Sequence, residues 1–174
     1  MLFLRNYVHL SFLTLLLILA SCAYTPTPIL NPNITSINIP IFSNKTLIHG
    51  LEDKLSNNVI EKFILDGHLN VVSAKKADVS LQGEIISYNK EPLSYDSEGY
   101  VTKYKLWILV NVSLIDKEKK QLWKDKFEEF VNYIPPTSSL YSTSSVEYET
   151  EEDAIEALFE DLSWDIVNRT IEGW

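Results

Sequence analysis

The sequence predicts an α+β fold, a two-layer sandwich in which two helices pack on one face of a mixed four-stranded sheet. Several segments alternate apolar and polar residues, as half-buried strands do, whereas two segments place apolar residues at three- and four-residue spacing, as amphipathic helices do. Most of the strand segments follow one another through hairpin turns between the two helical segments. This separation of helices from hairpin-linked strands is typical of α+β domains.

A short apolar run from Leu10 to Ala20 lies near the start of the chain, behind the basic Arg5. A helix that crosses a bilayer needs about 20 apolar residues, so this run is typical of a signal-peptide core. It ends at Leu19-Ala20-Ser21-Cys22, and two small residues between a leucine and a cysteine resemble the bacterial lipobox. Cys22 is the single cysteine of the chain. Its position favours lipid attachment over an ordinary signal peptide followed by a chance cysteine, or an uncleaved anchor.

We therefore predict a lipoprotein signal peptide at 1–21, a lipidated tether at 22–32 and a single α+β domain at 33–174. Three prolines make the tether extended, because proline fixes φ and disfavours helix in the residue before it. Two or more acyl chains hold a protein stably to a membrane. We expect a lipid-anchored protein on the periplasmic side of the outer membrane. In enterobacterial lipoproteins an aspartate after the cysteine marks retention in the inner membrane. This chain has Ala23 at that position, which is compatible with the outer membrane.

The charge of the chain is −9, from 15 basic and 24 acidic residues. Removal of Arg5 with the signal peptide would leave 14 basic residues and a charge of −10. This balance argues against nucleic acid as a partner and gives no general attraction to anionic membranes.

The first part of the domain is predicted to form a strand, a helix and a second strand. The first strand lies within Ile34–Ile41, where isoleucines alternate with polar residues. The segment Ser43–Thr46 offers helix caps. Apolar spacing then predicts an amphipathic helix from Ile48 to Asp66, and Gly67 can end it in the left-handed conformation. Leu69–Val72 is a short strand.

The second part supplies the main strands of the sheet. We predict a strand at Val79–Tyr88, a polar turn at Pro92–Gly99, the longest strand at Tyr100–Ile115, a charged hairpin tip at Asp116–Lys120 and a returning strand at Leu122–Ile134. The longest strand should bury one face, which consists of Tyr104, Leu106, Ile108, Val110, Val112 and Leu114.

The last part combines a long polar loop with a helix. The segment 137–149 begins with a run of serine and threonine around Leu140 and Tyr141, and loops of such length in compact domains tend to be functional or disordered. Thr150-Glu151-Glu152-Asp153 is a variant of the capping box that opens a helix. The buried stripe of that helix should be Ile155, Leu158, Phe159, Leu162 and Ile166.

The sequence offers no set of residues that predicts catalysis or a cofactor. His49 and His68 have no histidine or cysteine at ligand spacing, so solvated histidines are a simpler interpretation than a metal site. No nucleophile motif and no glycine-rich phosphate loop occurs. We expect a protein that is not an enzyme and holds no metal or other cofactor. A hydrolase remains an alternative that an esterase and glycosidase screen would test.

Five lysines cluster at the predicted hairpin of this acidic chain. One interpretation is a solvated strand edge, since lysines at edges discourage aggregation. The other is a binding site for an anionic head group. The lysines are Lys117, Lys119, Lys120, Lys124 and Lys126.

Several segments, taken together and in order, resemble the LptE family of lipopolysaccharide-assembly lipoproteins. They are Cys22-Ala23-Tyr24, Ile37–Asn44 with Thr46, Leu51-Glu52 through Leu55, Ala77–Ile85, Leu114-Ile115-Asp116, Leu122-Trp123, and the last helix with Ala154, Leu158, Asp161, Leu162, Ile166-Val167 and Arg169.

The resemblance implies a non-enzymatic protein with a two-helix, four-stranded sandwich. Such a protein would sit inside a large outer-membrane β-barrel translocon and help lipopolysaccharide to reach the cell surface. Its implied partners are that barrel, lipopolysaccharide and the membrane that holds its N-terminal lipid. Only Cys22 carries over as a site residue. The alternative is another periplasm-facing α/β lipoprotein, accessory to a cell-wall synthase or a secretion apparatus.

Overall fold

The computed structural model describes residues 33–136, 138, 148 and 150–172, in which the chain forms six strands and two helices. Cys22, the tether, Leu140 and Tyr141 lie outside these residues. The α+β class with two helices is confirmed. The strands are β1 (Ser36–Asn38), β2 (Ser43–Asn44), β3 (Asn70–Val71), β4 (Val79–Tyr95), β5 (Val101–Asp116) and β6 (Gln121–Tyr133), and the helices are α1 (Leu51–Asp66) and α2 (Glu151–Ile171).

The strands form one mixed, open sheet in the order β3-β1-β4-β5-β6, with β2 also paired to β4. The pairings of β1 with β3 and β4, and of β2 with β4, are parallel, whereas β4, β5 and β6 form an antiparallel meander. The prediction of four strands is therefore wrong, since the sheet has six. The strand that was not predicted is β2, whose two residues are too few to show the alternation that reveals a strand in a sequence. β3 lies within the short strand predicted at Leu69–Val72.

The chain between β1 and α1 forms a second short strand where the sequence predicts only helix caps. It leaves β4 after Asn38 and pairs again at Ser43 and Asn44. The side chain of Asn44 then accepts from the Thr46 amide at 2.8 Å and donates to Glu52 at 2.7 Å. Asn44 thus belongs to the sheet through its backbone, while its side chain holds the segment that leads into α1. The first residue before the helix is Gly50, whose backbone is left-handed.

β4 runs through the segment for which the sequence predicts a turn. The expected turn at Pro92–Gly99 is shorter, because β4 continues to Tyr95 and, at 17 residues, is one residue longer than β5. A register shift follows Pro92. Proline is tolerated at such irregularities, where a ladder hydrogen bond is already lost. The reversal itself is held by Asp96, whose carboxylate accepts from the amides of Glu98 and Tyr100.

The predicted end of α1 and the predicted start of α2 are confirmed, whereas α1 begins at Leu51 rather than Ile48 and has no side-chain cap at its start. Gly67 follows α1 with φ of 74°, and its amide donates to the Phe63 carbonyl. Thr150 and Asp153 form a reciprocal capping box at the start of α2. Polar pairs also join the two helices: Asn58 donates to Glu156 at 2.9 Å, and the buried Lys62 donates to Glu160 at 2.6 Å.

The core lies between the helices and one face of the sheet. The predicted face of β5 is buried from Leu106 to Leu114, while Tyr104 is half-buried. The stripe of α2 packs against it, with Leu158, Phe159, Leu162 and Ile166 fully buried and Ile155 partly buried.

One glycine of β4 is required by the packing of a ring. The ring of Phe42 lies so close to the backbone of Gly83 that a Cβ at residue 83 would be 2.2 Å from a ring carbon. Real Cβ atoms do not make such contacts, so any larger side chain would displace the ring. The amide of Phe42 also donates to Ser56 of α1 at 2.8 Å. Phe42 therefore joins β4 to α1, and Gly83 makes its position possible.

Gly83→Ala should lower the free energy of unfolding by about 1–3 kcal/mol, the usual cost of an added methyl group in a filled core. The measurement is a urea titration. Gln82→Ala, one residue earlier on the exposed side of β4, should have little effect. In a Phe42→Leu background the cost of Gly83→Ala should fall, because the shorter side chain leaves room for the methyl group. An equal cost in both backgrounds would contradict the contact.

Candidate functional site on the outer face of the sheet

The candidate site is the outer face, which we define as the side of β4, β5 and β6 that points away from both helices. Directly paired residues of neighbouring strands lie on the same side of a sheet. The register of the three strands therefore identifies the members of this face. They are Ser80, Gln82, Glu84, Ser87, Asn89 and Glu91 of β4, Lys103, Lys105, Trp107, Leu109, Asn111 and Ser113 of β5, and Lys124, Lys126, Glu128, Phe130 and Asn132 of β6.

An apolar group lies at the centre of the outer face. Trp107 pairs in register with Phe130, and Leu109 lies two residues farther along the same side of β5. Phe130 is 54% exposed, and Trp107 and Leu109 are half-buried. The indole nitrogen of Trp107 donates to Glu91 at 3.0 Å. Trp107 is thus fixed in orientation, with its ring on the side of the sheet opposite the helices.

Basic side chains flank the apolar group. Lys103 and Lys105 project from β5, and Lys124 and Lys126 from β6. The ammonium of Lys105 lies 4.4 Å from the centre of the Phe130 ring, within the range of a cation–π contact. Lys124 borders a shallow cavity of about 240 Å³ whose other walls include Ser43, Gln82, Glu84 and Asn111.

The predicted cluster of five lysines is divided by the structure. Lys124 and Lys126 lie on the outer face. Lys119 and Lys120 lie at the β5–β6 turn, where the backbone of Lys119 is left-handed with φ of 64°. Lys117 donates to the Asp78 carboxylate at 2.7 Å. Head-group contact remains a prediction, and Lys103 and Lys105 are the closer companions of Lys124 and Lys126.

The Asp78 carboxylate joins the start of β1 and the start of β4 to the turn that follows β5. It accepts from the Ser36 hydroxyl at 2.7 Å, from the amides of Thr35 and Ser36 at 3.1 Å, and from Lys117. Lys117 first, then Ser36 and Thr35, lower the pKa of Asp78 well below its ordinary value of 3.8. In the sequence, Asp78 belongs to Ala77–Ile85, one of the segments that carry the family resemblance, but its role in joining strands could not be predicted there.

The described residues contain no group of three histidine, cysteine, aspartate or glutamate side chains that could hold a metal ion. His68 faces Asp66 at 3.0 Å. Burial, and next the charge of Glu151, raises the pKa of Tyr88 to about 12, which makes this phenol less suited to acid–base chemistry near neutral pH. Among the helices in the described part of the chain, none is long and apolar enough to span a membrane.

The LptE family model, described as "Lipopolysaccharide-assembly", matches residues 34–170. A search of the curated proteins gives no significant match. The hypothetical protein CT253 from Chlamydia trachomatis has a similar fold, with a TM-score of 0.55, 10% identity and coverage of 78% of this chain and 95% of the other. Protein XCC0632 from Xanthomonas campestris also has a similar fold, with a TM-score of 0.56, 12% identity and coverage of 81% of this chain and 88% of the other. For a minor lipoprotein from Acinetobacter baumannii the TM-score is 0.50 and the identity 10%, with coverage of 80% of this chain and 92% of the other.

Lys117→Met should lower the melting temperature at pH 7, and Lys120→Met at the turn should not. Asp78 has a depressed pKa in the folded state, so its ion pair stabilises the fold fully above the unfolded-state pKa of about 3.9. That stabilisation is lost as the pH falls through the lower, folded-state pKa. The difference between wild type and Lys117→Met should therefore shrink below about pH 3.9. Thermal unfolding followed from pH 7 downwards measures it, and a difference independent of pH would contradict the role of Asp78.

Proposed function

The chain belongs to the LptE family of lipopolysaccharide-assembly proteins, and we propose that it serves this assembly as a lipid-anchored partner of an outer-membrane β-barrel translocon. The family match, which spans most of the domain, is the observation that carries the proposal. The family is non-enzymatic. The proposed role is accordingly one of binding and positioning, with lipopolysaccharide and the barrel as partners and no cofactor.

The proposed anchor is a lipid on Cys22, attached after removal of residues 1–21. Leu19-Ala20-Ser21-Cys22 supports it, as does the lack of any other cysteine in the sequence. The domain begins its first strand at Ser36, so a short extended tether would separate it from the membrane. In this arrangement the domain faces the periplasm from the outer membrane.

The outer face is the proposed surface for the barrel and for lipopolysaccharide. Aromatic residues are enriched where proteins meet, and Trp107 and Phe130 lie side by side on this face. Lys105 lies over the Phe130 ring, and Lys103, Lys124 and Lys126 lie elsewhere on the same face. Of the three acids there, Glu84 is paired with Lys45 at 3.3 Å and Glu91 accepts from Trp107. With four lysines against three glutamates, the face has one net positive charge and an apolar centre in a chain of charge −9, a combination that suits a ligand with anionic head groups and acyl chains.

Cys22→Ala should abolish incorporation of radiolabelled palmitate in the native cell, because the thiol that takes the lipid is gone. Ser21→Ala, which keeps a small residue beside the cysteine, should preserve labelling. The mass of the mature wild-type protein should correspond to a start at Cys22 with added acyl groups. An unmodified Cys22, or a mature protein that retains residues 1–21, would contradict the proposed anchor.

A photo-crosslinking residue at position 107 should capture an outer-membrane barrel protein in the native cell, because Trp107 lies at the centre of the outer face. The matched control is the same residue at Glu61, which is exposed on α1 in the helical layer. Mass spectrometry identifies the captured partner. Equal capture at both positions would contradict the assignment of the outer face, and capture of a cell-wall synthase or secretin instead of a barrel translocon would contradict the proposed function.

A further inference from the structure

One end of the domain lies next to the tether. In the register of the sheet, Ser36 lies opposite Asn70. Val79, whose other neighbour is Ile37, lies opposite Asp116. The starts of β1, β3 and β4, the end of β5 and the β5–β6 turn are therefore side by side. Both helices also end here, because α1 ends just before β3 and the polar pairs between the helices show that α2 runs parallel to α1. We call this region the tether end and define it as residues 33–36, 64–70, 73–79, 115–122 and 172.

Three exposed aliphatic side chains lie at the tether end. Ile64 and Leu65, in the last turn of α1, are 63% and 62% exposed, and Leu122, at the register shift with which β6 begins, is 41% exposed. Single exposed apolar residues are ordinary on protein surfaces. These three, however, lie where the proposed anchor holds the domain close to a membrane, and insertion among lipid head groups would remove them from water.

Four lysines accompany these aliphatic side chains. Two lie in the β3–β4 connection and two in the β5–β6 turn, all four are exposed, and in the described part of the chain none forms an ion pair. They are Lys75, Lys76, Lys119 and Lys120. The Lys76 carbonyl accepts from the Ser36 hydroxyl at 3.4 Å, which places the β3–β4 connection beside the start of β1. Lysine can keep its ammonium among polar head groups while its methylenes lie on apolar surface.

Most of the acids of the tether end are bound within the fold. Asp78 binds Lys117, and Asp66 and Asp116 accept from backbone amides in the turns that follow α1 and β5. The other two acids are Glu118 and Glu172. Five lysines and five acids make the tether end neutral, so the rest of the chain carries the whole charge of −9.

The helical layer and the opposite end of the domain are acidic. Every exposed side chain of α2 is acidic apart from Asn168, and the β4–β5 turn contains Asp96 and Glu98 without a basic residue. An anionic bilayer repels these parts and attracts exposed lysines. The outer face, with one net positive charge, is the competing surface. The anchor favours the tether end, because the chain from Cys22 to Ser36 spans at most roughly 50 Å and holds this end at a high effective concentration near the bilayer.

We propose that the tether end is a second membrane contact, which docks on a bilayer with anionic phospholipid head groups once Cys22 is anchored there. Ile64, Leu65 and Leu122 enter the head-group region, and the four lysines meet the lipid phosphates. The strands then stand away from the bilayer, with the β4–β5 turn far from it. The inference rests on the proposed anchor.

The test uses the lipidated protein in vesicles of phosphatidylcholine and phosphatidylglycerol, with a nitroxide on some acyl chains. Cys22 is the single cysteine and is acylated in the anchored protein, so Leu65→Cys supplies one free thiol for a fluorophore. Glu98→Cys, in the β4–β5 turn, is the matched control. The nitroxide lipid should quench the fluorophore at position 65, and iodide in solution should quench the fluorophore at position 98. Equal responses at the two positions would overturn the proposal.

Charge reversals separate the tether end from the outer face. Lys119→Glu with Lys120→Glu should weaken docking by about tenfold or more, because each lysine near an anionic surface adds to the attraction. Lys103→Glu with Lys105→Glu changes the net charge equally and should leave the quenching at position 65 unchanged. Loss of quenching with the second pair alone would show that the outer face lies on the bilayer and would overturn the proposal.

Two further measurements keep docking and anchoring apart. Raised salt should weaken the docking of the labelled chain without a charge reversal, since it screens the lysines. A protein that floats with the vesicles but shows no quenching at position 65 would contradict the docking alone. A protein that does not float with them would overturn the proposed anchor, and the second contact with it.

Discussion

The contact between Phe42 and the backbone of Gly83 is the constraint on which the arrangement of sheet and helices depends. The ring fills the space that a side chain at residue 83 would need, and so presses the chain that precedes α1 onto β4. Through its amide the same residue binds Ser56 in the second turn of α1. Phe42 therefore fixes the position of α1 over the sheet together with the apolar stripe of that helix. The start of β1 is fixed to β4 by hydrogen bonds instead of ring packing, because the Asp78 carboxylate accepts from Thr35 and Ser36.

The elements that could be predicted from the sequence are those whose local pattern and final burial agree. β5 alternates along its length, the stripe of α2 repeats at helical spacing, and Gly67 and Thr150 are strong boundary signals. β2 could not be predicted in this way, because two residues carry no period, although the equally short β3 lies within the strand predicted at Leu69–Val72. The end of β4 was predicted too early because of Pro92, since a proline normally marks the end of a strand. Here a register shift follows Pro92, where the ladder hydrogen bond that proline cannot donate is not needed.

Less of the candidate site could be predicted, because it depends on which strands lie beside each other. The five lysines are close in sequence, yet Lys117 turns to Asp78 and forms part of the fold, while Lys103 joins the outer face from a distant segment. In the sequence, Trp107 is one of two apolar residues among the mostly polar alternate positions 103 to 113 of β5. Its neighbour Phe130 could be recognised only once the register of β5 and β6 was known. Likewise, the reason for a glycine at position 83 could be recognised only once the position of the Phe42 ring was known.

The cluster around Asp78 has a consequence for mechanical load. In the proposed anchored state, any pull between the membrane and a barrel-bound domain enters the fold at its N-terminal end, immediately before β1. Thr35 and Ser36 are the first residues to receive that force, and both are bound to a carboxylate 42 to 43 positions away in the chain. β1 is short and would offer few backbone hydrogen bonds against peeling. A charged acceptor with several donors at this point resists detachment of the strand that follows the tether, and thereby protects the core from tension on its anchor.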